Sequence, residues 1–392
     1  MNVKNTKKPQ KRIDVKDAQR WHLQTYGADN LYPQNLQRIT AASGTAELCL
    51  ARYRKFVEGN GWNSFALAQM RCNRDGETAD TLLHAIADDL TRFGGFALHV
   101  NYNVLAEITE VRLIPFEMCR LEEEDDSGHV AHILLHADWE GTKWRNGKRI
   151  NVNDASIKRI DVFNPEPSVV LAQIEAHGGI EHYDGQILYC SNNGKREYPM
   201  PIYDACITDI STDEGLGNVK NRNVRNNFLV ACMMVAKRGV PLVGADGREQ
   251  DRQMIEDEDL RAFQGDENAS KILYVELEND EDKPEIVEFP SRNFDKDFSV
   301  TDASVIERIY AQFHQELFYS IRLGKLGFSG DVMRDAYEYY AGEVTNEQRF
   351  ISRYFAQVLA RWHDEAYRNV STEIEPLRYI NSKTSNNTED AQ

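Results

Sequence analysis

The chain has 392 residues, 28% of them charged, and a formal net charge of −17. That length allows two or three domains with an ample core, while so acidic a balance argues against wrapping of nucleic acid, which needs lysine and arginine facing phosphate. The six cysteines (Cys49, Cys72, Cys119, Cys190, Cys206, Cys232) are scattered without a C-x-x-C pair, the pattern of reduced thiols and not of a disulfide framework.

The opening MNVKNTKKPQKR is basic and polar, with no apolar run behind it, so a flexible arm is expected and a secretory signal is not. The longest apolar run, Phe228 to Ala236, is about half of what a membrane helix needs. A soluble, intracellular protein is therefore expected. Gly27, Asp29, Asn30 and Pro33 mark a turn before a helix, and Ser43 and Thr45 are placed to cap another that carries Leu48, Leu50, Tyr53 and Phe56 as far as the GNGW turn at 59–62. Further helices are expected at about 66–72 and 81–93. Strand signals then dominate at 94–103, 107–123, 129–139, 159–165 and 185–190, separated by DDSG, WRNGK and SNNGK turns. Residues 40–210 thus read as an α+β domain with a mostly antiparallel sheet.

After YPMPIYDACITDIS the composition shifts. Residues 217–238 read as a helix with Lys220, Arg222, Arg225, Lys237 and Arg238 and no acidic residue, fed by a tight turn at Gly215-Leu216-Gly217. Residues 244–290 reverse the sign, with sixteen Asp/Glu against five Lys/Arg. Strands are expected there at 271–278 and 285–289, and a short helix at 254–264. Two long helical patterns close the chain. In the first, Val305, Ile306, Ile309, Tyr310, Phe313, Leu317, Phe318 and Ile321 recur at three- and four-residue steps, predicting a rod of roughly 30 Å over 302–322. The second runs on from Val332 to Trp362. Between them Gly324, Gly327 and Gly330 interleave with Lys325, Leu326 and Phe328, a mobile, partly basic and partly apolar loop on two rods. A polar tail follows residue 381.

No motif argues for an enzyme. His129, His132 and His136 read as ordinary strand histidines, with 132 and 136 on one face and 129 on the other. The Gly215/Gly217 pair lacks a P-loop lysine and serine, and 327–330 lacks G-x-S-x-G spacing. Carboxylate runs at 122–126, 256–259 and 280–282 read as solvated faces. No catalytic residue, metal ligand or cofactor is expected. Two other classes stay open: a carboxylate-dependent nuclease or hydrolase, and an acidic adaptor or scaffold without a channel.

The order of these elements, with YGADNLYPQ at 26–34, RYRKFVEGNGW at 52–62 and YPMPIYDACITDISTDEGLGNVKNRNVRNNFL at 198–229, resembles the portal proteins of tailed phages, those of Bacteroidetes-type hosts in particular. The likeness spans about residues 20–380. It implies an N-terminal arm (1–39), an α/β wing (40–210, completed by 332–381), a first stem helix (211–238) and a small α/β clip (239–296). A second stem helix (297–322), a tunnel loop (323–331), the tunnel helix and return to the wing (332–381), bent near Gly342, and a disordered tail (382–392) follow, with little or no crown. It implies a ring, twelve subunits being usual, at one capsid vertex, serving as conduit for DNA packaging and ejection. Implied partners are further copies of the chain, the terminase large subunit, head-completion adaptors, major capsid and scaffold proteins, and double-stranded DNA in transit. No membrane is involved. The implied location is the virion, and the host cytoplasm during assembly. Leu323, Lys325, Leu326 and Phe328 would face DNA. Lys220, Arg222, Arg225, Lys237 and Arg238 would line the lumen or a subunit interface, and Glu256, Asp257, Glu258 and Asp259 would meet terminase or an adaptor. Lacking a Walker motif, the chain would depend on a partner ATPase for packaging energy.

Overall fold

The computed structural model describes residues 21–142, 144–145, 148–149, 152–192, 198–225, 232–237, 242–243, 249–250, 272–277, 294–327 and 329–379. The architecture is α+β and divides into two compact units, Met1–Ile210 with Glu307–Gln392, and Ser211–Ile306.

In the first unit, α1 (Tyr32–Ala42) begins at Pro33, where a missing N–H costs nothing. Ser43 ends it and caps α2 (Gly44–Glu58), its hydroxyl accepting from Ala46 N at 3.1 Å. A single turn, α3 (Phe65–Ala68), precedes α4 (Ala79–Phe93), which Thr78 caps and Gly94 closes in the left-handed conformation. The strands β1 (Gly95–Tyr102), β2 (Ile108–Ile114), β3 (Cys119–Leu121) and β4 (His132–Leu135) follow. A minor hairpin, β5 (Trp144–Arg145) with β6 (Lys148–Arg149), comes next. Then β7 (Lys158–Val162), α5 (Pro167–Ala176) and β8 (Gln186–Ser191) complete the set. The main sheet has the order β2-β1-β8-β7-β4-β3. Its pairings are antiparallel except β7–β8. A parallel pair cannot be joined by a tight turn, which is why α5 lies between those two strands.

β1 lies in the core, with Phe96, Ala97, Leu98 and Val100 fully enclosed. Phe96 meets Phe350 and Tyr354 edge-on, and Phe93 stacks on Phe116. The GNGW turn has a clear purpose. Gly59 and Gly61 take positive φ, and Asn60, Gly61 and Asn63 exchange backbone hydrogen bonds with Glu373 and Glu375, holding the end of the described chain against the turn.

The second unit begins within α6 (Ile207–Arg225) and ends within α7 (Phe294–Gln312). It contains β9 (Cys232–Lys237) paired in parallel with β12 (Ile272–Leu277), and the small antiparallel pair β10 (Leu242–Val243) and β11 (Glu249–Gln250). Back in the first unit come α8 (Glu316–Arg322), α9 (Gly330–Glu343) and α10 (Thr345–Leu359). Among the described residues no helix is long and apolar enough to cross a membrane.

Several expectations are corrected. The basic helix does not run 217–238: α6 starts at Ile207, takes Gly215 and Gly217 into its body, and ends at Arg225, while 232–237 is a strand. A short apolar run such as CMMVA fits a buried helix or a buried strand equally well, and the pairing with 272–277 decides it. The expected rod over 302–322 begins earlier, at Phe294, and breaks after Gln312. His314 there takes φ +57, and the Gln315 and His314 amides bond back to the Tyr310 and Ala311 carbonyls, the helix-ending pattern usually built on glycine. The second rod divides at Val344, two residues past Gly342. β4 spans only 132–135, so His129 and His136 lie outside it. The helix α5 escaped the sequence reading. The expected helix at 254–264, strand at 285–289, basic arm and polar tail fall outside the described residues.

Candidate functional site

The connection from α8 to α9 is built on a fixed base. Gly324, at φ +73, ends α8: its amide bonds to Ile321 O at 2.9 Å and that of Lys325 to Ser320 O at 3.0 Å. Gly327 supplies a second positive φ, at +74. Ser329 then caps α9, its hydroxyl accepting from Val332 N at 3.2 Å. Both ends of the loop are thus hydrogen-bonded.

Beneath the loop, Gln315 is fully buried in the break between α7 and α8. Its oxygen accepts from Arg52 Nη1 at 2.8 Å, and its amide nitrogen donates to Cys49 O at 2.8 Å and the Tyr340 hydroxyl at 2.9 Å. The Tyr340 hydroxyl donates onward to Phe313 O at 3.0 Å. One amide therefore joins α2, α9 and the break itself. Around it Phe56 meets Phe318, Tyr337 and Tyr340, and the Arg52 guanidinium lies 4.5 Å over the Phe318 ring. Arg322 donates to the Tyr310 hydroxyl at 3.1 Å, securing the last turn of α8. Burial raises the Tyr340 phenol well above its ordinary value, so it stays a neutral donor.

On this base the loop presents Leu323 and Leu326, 48% and 45% exposed, with Lys325 exposed between them and without an ion pair among the described residues. These three exposed side chains contribute little to the core.

No protein-family model matches the chain, and no curated protein matches it either. Among solved structures it is similar to a chain in the neck of a native gene transfer agent particle computed with C12 symmetry, with 14% identity, TM-score 0.48 and coverage of 88% of this chain and 83% of that one. A chain from the virion of a native gene transfer agent particle gives 11% identity and TM-score 0.43, over 90% and 85% of the two chains. A third, from the neck of an empty particle computed with C6 symmetry, gives 12% and 0.46, over 89% and 85%.

Lys220 is the one other expected site residue whose side chain is described. Lys220 is half exposed on α6 and pairs with Asp302 of α7 at 2.8 Å. Within the first unit, Arg308 of α7 pairs with Asp209 of α6 at 2.5 Å. Arg222 and Arg225 fall in the last turn of α6 and Lys237 ends β9. Their side chains, Arg238, Phe328 and Glu256–Asp259 lie outside the described residues. Of the carboxylate run 122–126, Glu122 bonds to His132 Nδ1 at 2.6 Å, and Asp125 accepts from the Ser127 and His129 amides and the Ser127 hydroxyl. Those hydrogen bonds hold the Asp125 carboxyl below its usual range. The residue that sequence reasoning missed is Gln315. In a continuous helix it would fall opposite the stripe of Ile309, Phe313 and Leu317, so periodicity gave no signal of its burial, which the break after Gln312 creates.

Proposed function

We propose that the chain is the subunit of a portal-type ring at a capsid vertex of a phage-like particle, the conduit through which double-stranded DNA is packaged and released. The observation that carries this reading is the exposed Leu323–Lys325–Leu326 tip on its locked base. It follows α8, the short helix after α7, and α6 and α7 flank the inserted unit Ser211–Ile306 in sequence. Such a tip suits light contact with a passing polymer. One lysine per subunit meets the phosphate backbone only weakly, since affinity grows with each phosphate neutralised. The acidic balance of the rest of the chain keeps DNA from adhering to the channel wall. The acidic segment 244–290, which includes Glu256–Asp259, supplies the complementary surface for a basic face of the terminase motor or a head-completion adaptor. The chain itself performs no chemistry in this scheme.

Native mass spectrometry with negative-stain microscopy of the purified protein, alone and with its capsid and scaffold proteins, tests the reading. A closed ring of about a dozen subunits around an open channel is expected. A chain that stays monomeric with those proteins present overturns it.

A further inference from the structure

The hairpin joining β1 to β2 has an unusual tip. Val104 and Leu105 sit at its apex 66% and 70% exposed, although a two-strand turn has every opportunity to use polar residues there. The tip is nevertheless rigid. Asn103 Oδ1 accepts from the Leu105 and Glu107 amides at 2.9 and 3.0 Å, and its Nδ2 donates to Glu107 Oε2 at 2.9 Å. Asn103 and Glu107 also share a backbone bond of 2.9 Å, and Ala106 is buried at φ +58. Arg368 Nη2 fixes Glu107 Oε1 at 2.8 Å, and Arg368 Nη1 reaches Glu365 at 3.2 Å. Two aliphatic side chains are thus held out to solvent by a turn that has already lost its conformational freedom, the condition under which an apolar anchor binds most cheaply.

At the other end of the same strand lies a cleft of about 640 Å³, lined by Leu90, Asn192, Asn346, Glu347, Phe350 and Arg353, with Arg349 at its rim. Its place in the fold is fixed by the start of β1. Asn192 N bonds to Gly94 O at 3.1 Å, and Phe350 packs edge-on to Phe96. Leu90 and Phe350 give it an apolar lining and Arg349 and Arg353 a basic one, with the Arg353 guanidinium lying over the Phe350 and Tyr354 rings. Glu347 also lines it, its Oε1 accepting from the Tyr53 hydroxyl at 3.0 Å. The tip matches this in charge. Arg368 is shared between Glu107 and Glu365, and exposed Asp364 lies beside them, so the apolar apex stands in an acidic collar.

We propose that the Val104–Leu105 tip of one subunit seats in the Leu90/Phe350/Arg353 cleft of a second copy of this chain. Tip and cleft stand at opposite ends of an eight-residue strand, about 23 Å apart along it. A surface and its complement on different faces give a head-to-tail contact, the kind that closes into a ring. The proposal rests on the ring reading above and names the residues of its interface.

Disulfide trapping tests it. In the double variant Leu105→Cys with Asn346→Cys, mild oxidation produces a ladder of cross-linked species, while wild type and each single variant give none above a dimer. Five native cysteines are buried and do not compete. In parallel, Val104→Asp with Leu105→Asp leaves the thermal midpoint unchanged, because both residues are exposed, and raises the concentration for half-assembly by about tenfold or more. Rings that form normally in the aspartate variant and yield no cross-link overturn this interface and leave the ring reading standing. A wild-type chain that neither assembles nor cross-links, with capsid and scaffold proteins present, overturns both.

Discussion

Arg120 is the most demanding residue in the described fold, and Arg120→Lys is the sharpest test of how its first unit holds together. The guanidinium is fully buried on β3 without a carboxylate partner. Its Nε donates to Asn30 Oδ1 at 2.6 Å, Nη1 to the Glu117 and Cys119 carbonyls at 3.0 and 2.7 Å, and Nη2 to Asn30 O and Gln34 Oε1 at 2.6 and 3.2 Å. All five N–H groups therefore meet a neutral acceptor. The group also lies over the Tyr26 and Trp139 rings, at 5.6 and 5.1 Å. Burial disfavours its charge and pushes its pKa down. Lysine keeps the buried charge but has three donors at one point, so at least two acceptors are stranded at about 1–3 kcal/mol each. Lost stacking on the rings adds about 1 kcal/mol. The sum is about 3–7 kcal/mol, and at an m-value of about 2–3 kcal/mol/M the urea midpoint falls by about 1–3.5 M. Arg120→Met strands more acceptors but removes the unpaired charge, so it costs less than lysine. Urea unfolding followed by fluorescence reads this directly, because Trp21 and Trp139 are both buried beside the site. Hydrogen exchange localises the loss to residues 21–36, which Arg120 ties to the sheet. A lysine variant within about 1 kcal/mol of wild type, or one more stable than the methionine variant, refutes the reasoning.

Three further outcomes are expected. Asp89 is buried, accepts from Phe116 N at 3.2 Å, and has its pKa raised well above the ordinary value by desolvation and then by Glu117. The folded state therefore holds this proton more tightly than the unfolded state, and the associated stability is present below about pH 4 and lost as pH rises through the folded pKa. Asp89→Asn, which keeps the acceptor, should match wild type near pH 4 and exceed it by a margin that widens toward neutral pH in thermal melts. A Cβ on Gly59 would stand 2.2 Å from Glu375 O at φ +64, so Gly59→Ala should cost about 1–3 kcal/mol and expose residues 373–379 to limited proteolysis. Gln315→Ala removes the acceptor of Arg52 Nη1 and the bonds to Cys49 O and the Tyr340 hydroxyl, and leaves a cavity beside Phe56 and Tyr340, lowering stability by about 2–4 kcal/mol in chemical unfolding.

The sequence made some elements legible and hid others for identifiable reasons. Capping and periodicity agreed over α2 and α4, where Ser43 and Thr78 start the helices and Gly59 and Gly94 end them. The sheet was visible because Gly95–Tyr102 and Ile108–Ile114 alternate and are bounded by turn residues. The break after Gln312 was not, since it rests on histidine in a conformation where glycine is the usual signal. The change from helix to strand by Cys232 was hidden by an apolar run that only its partner strand identifies. For the candidate site, Leu323, Lys325 and Leu326 were legible as a glycine-bounded tip. The base was not, because the hydrogen bonds of Gln315 join residues more than 260 positions apart in sequence.

That contrast bears on how the loop works. In the proposed ring a tip that met a moving polymer would have to yield without loosening the unit beneath it, and different residues would meet the two demands. The glycines at 324 and 327 place compliance between the caps. The Gln315–Tyr340–Arg52 cluster and the Arg322–Tyr310 bond place stiffness below them. Had the helix 294–322 been continuous, no break would exist to receive a buried amide, and α8 would meet α9 through ring packing alone. Aromatic contacts tolerate rotation, whereas a side chain bonded to α2, α9 and the break does not. The left-handed His314 is therefore part of the site, because the turn it creates places Gln315 where three elements can be joined at one point.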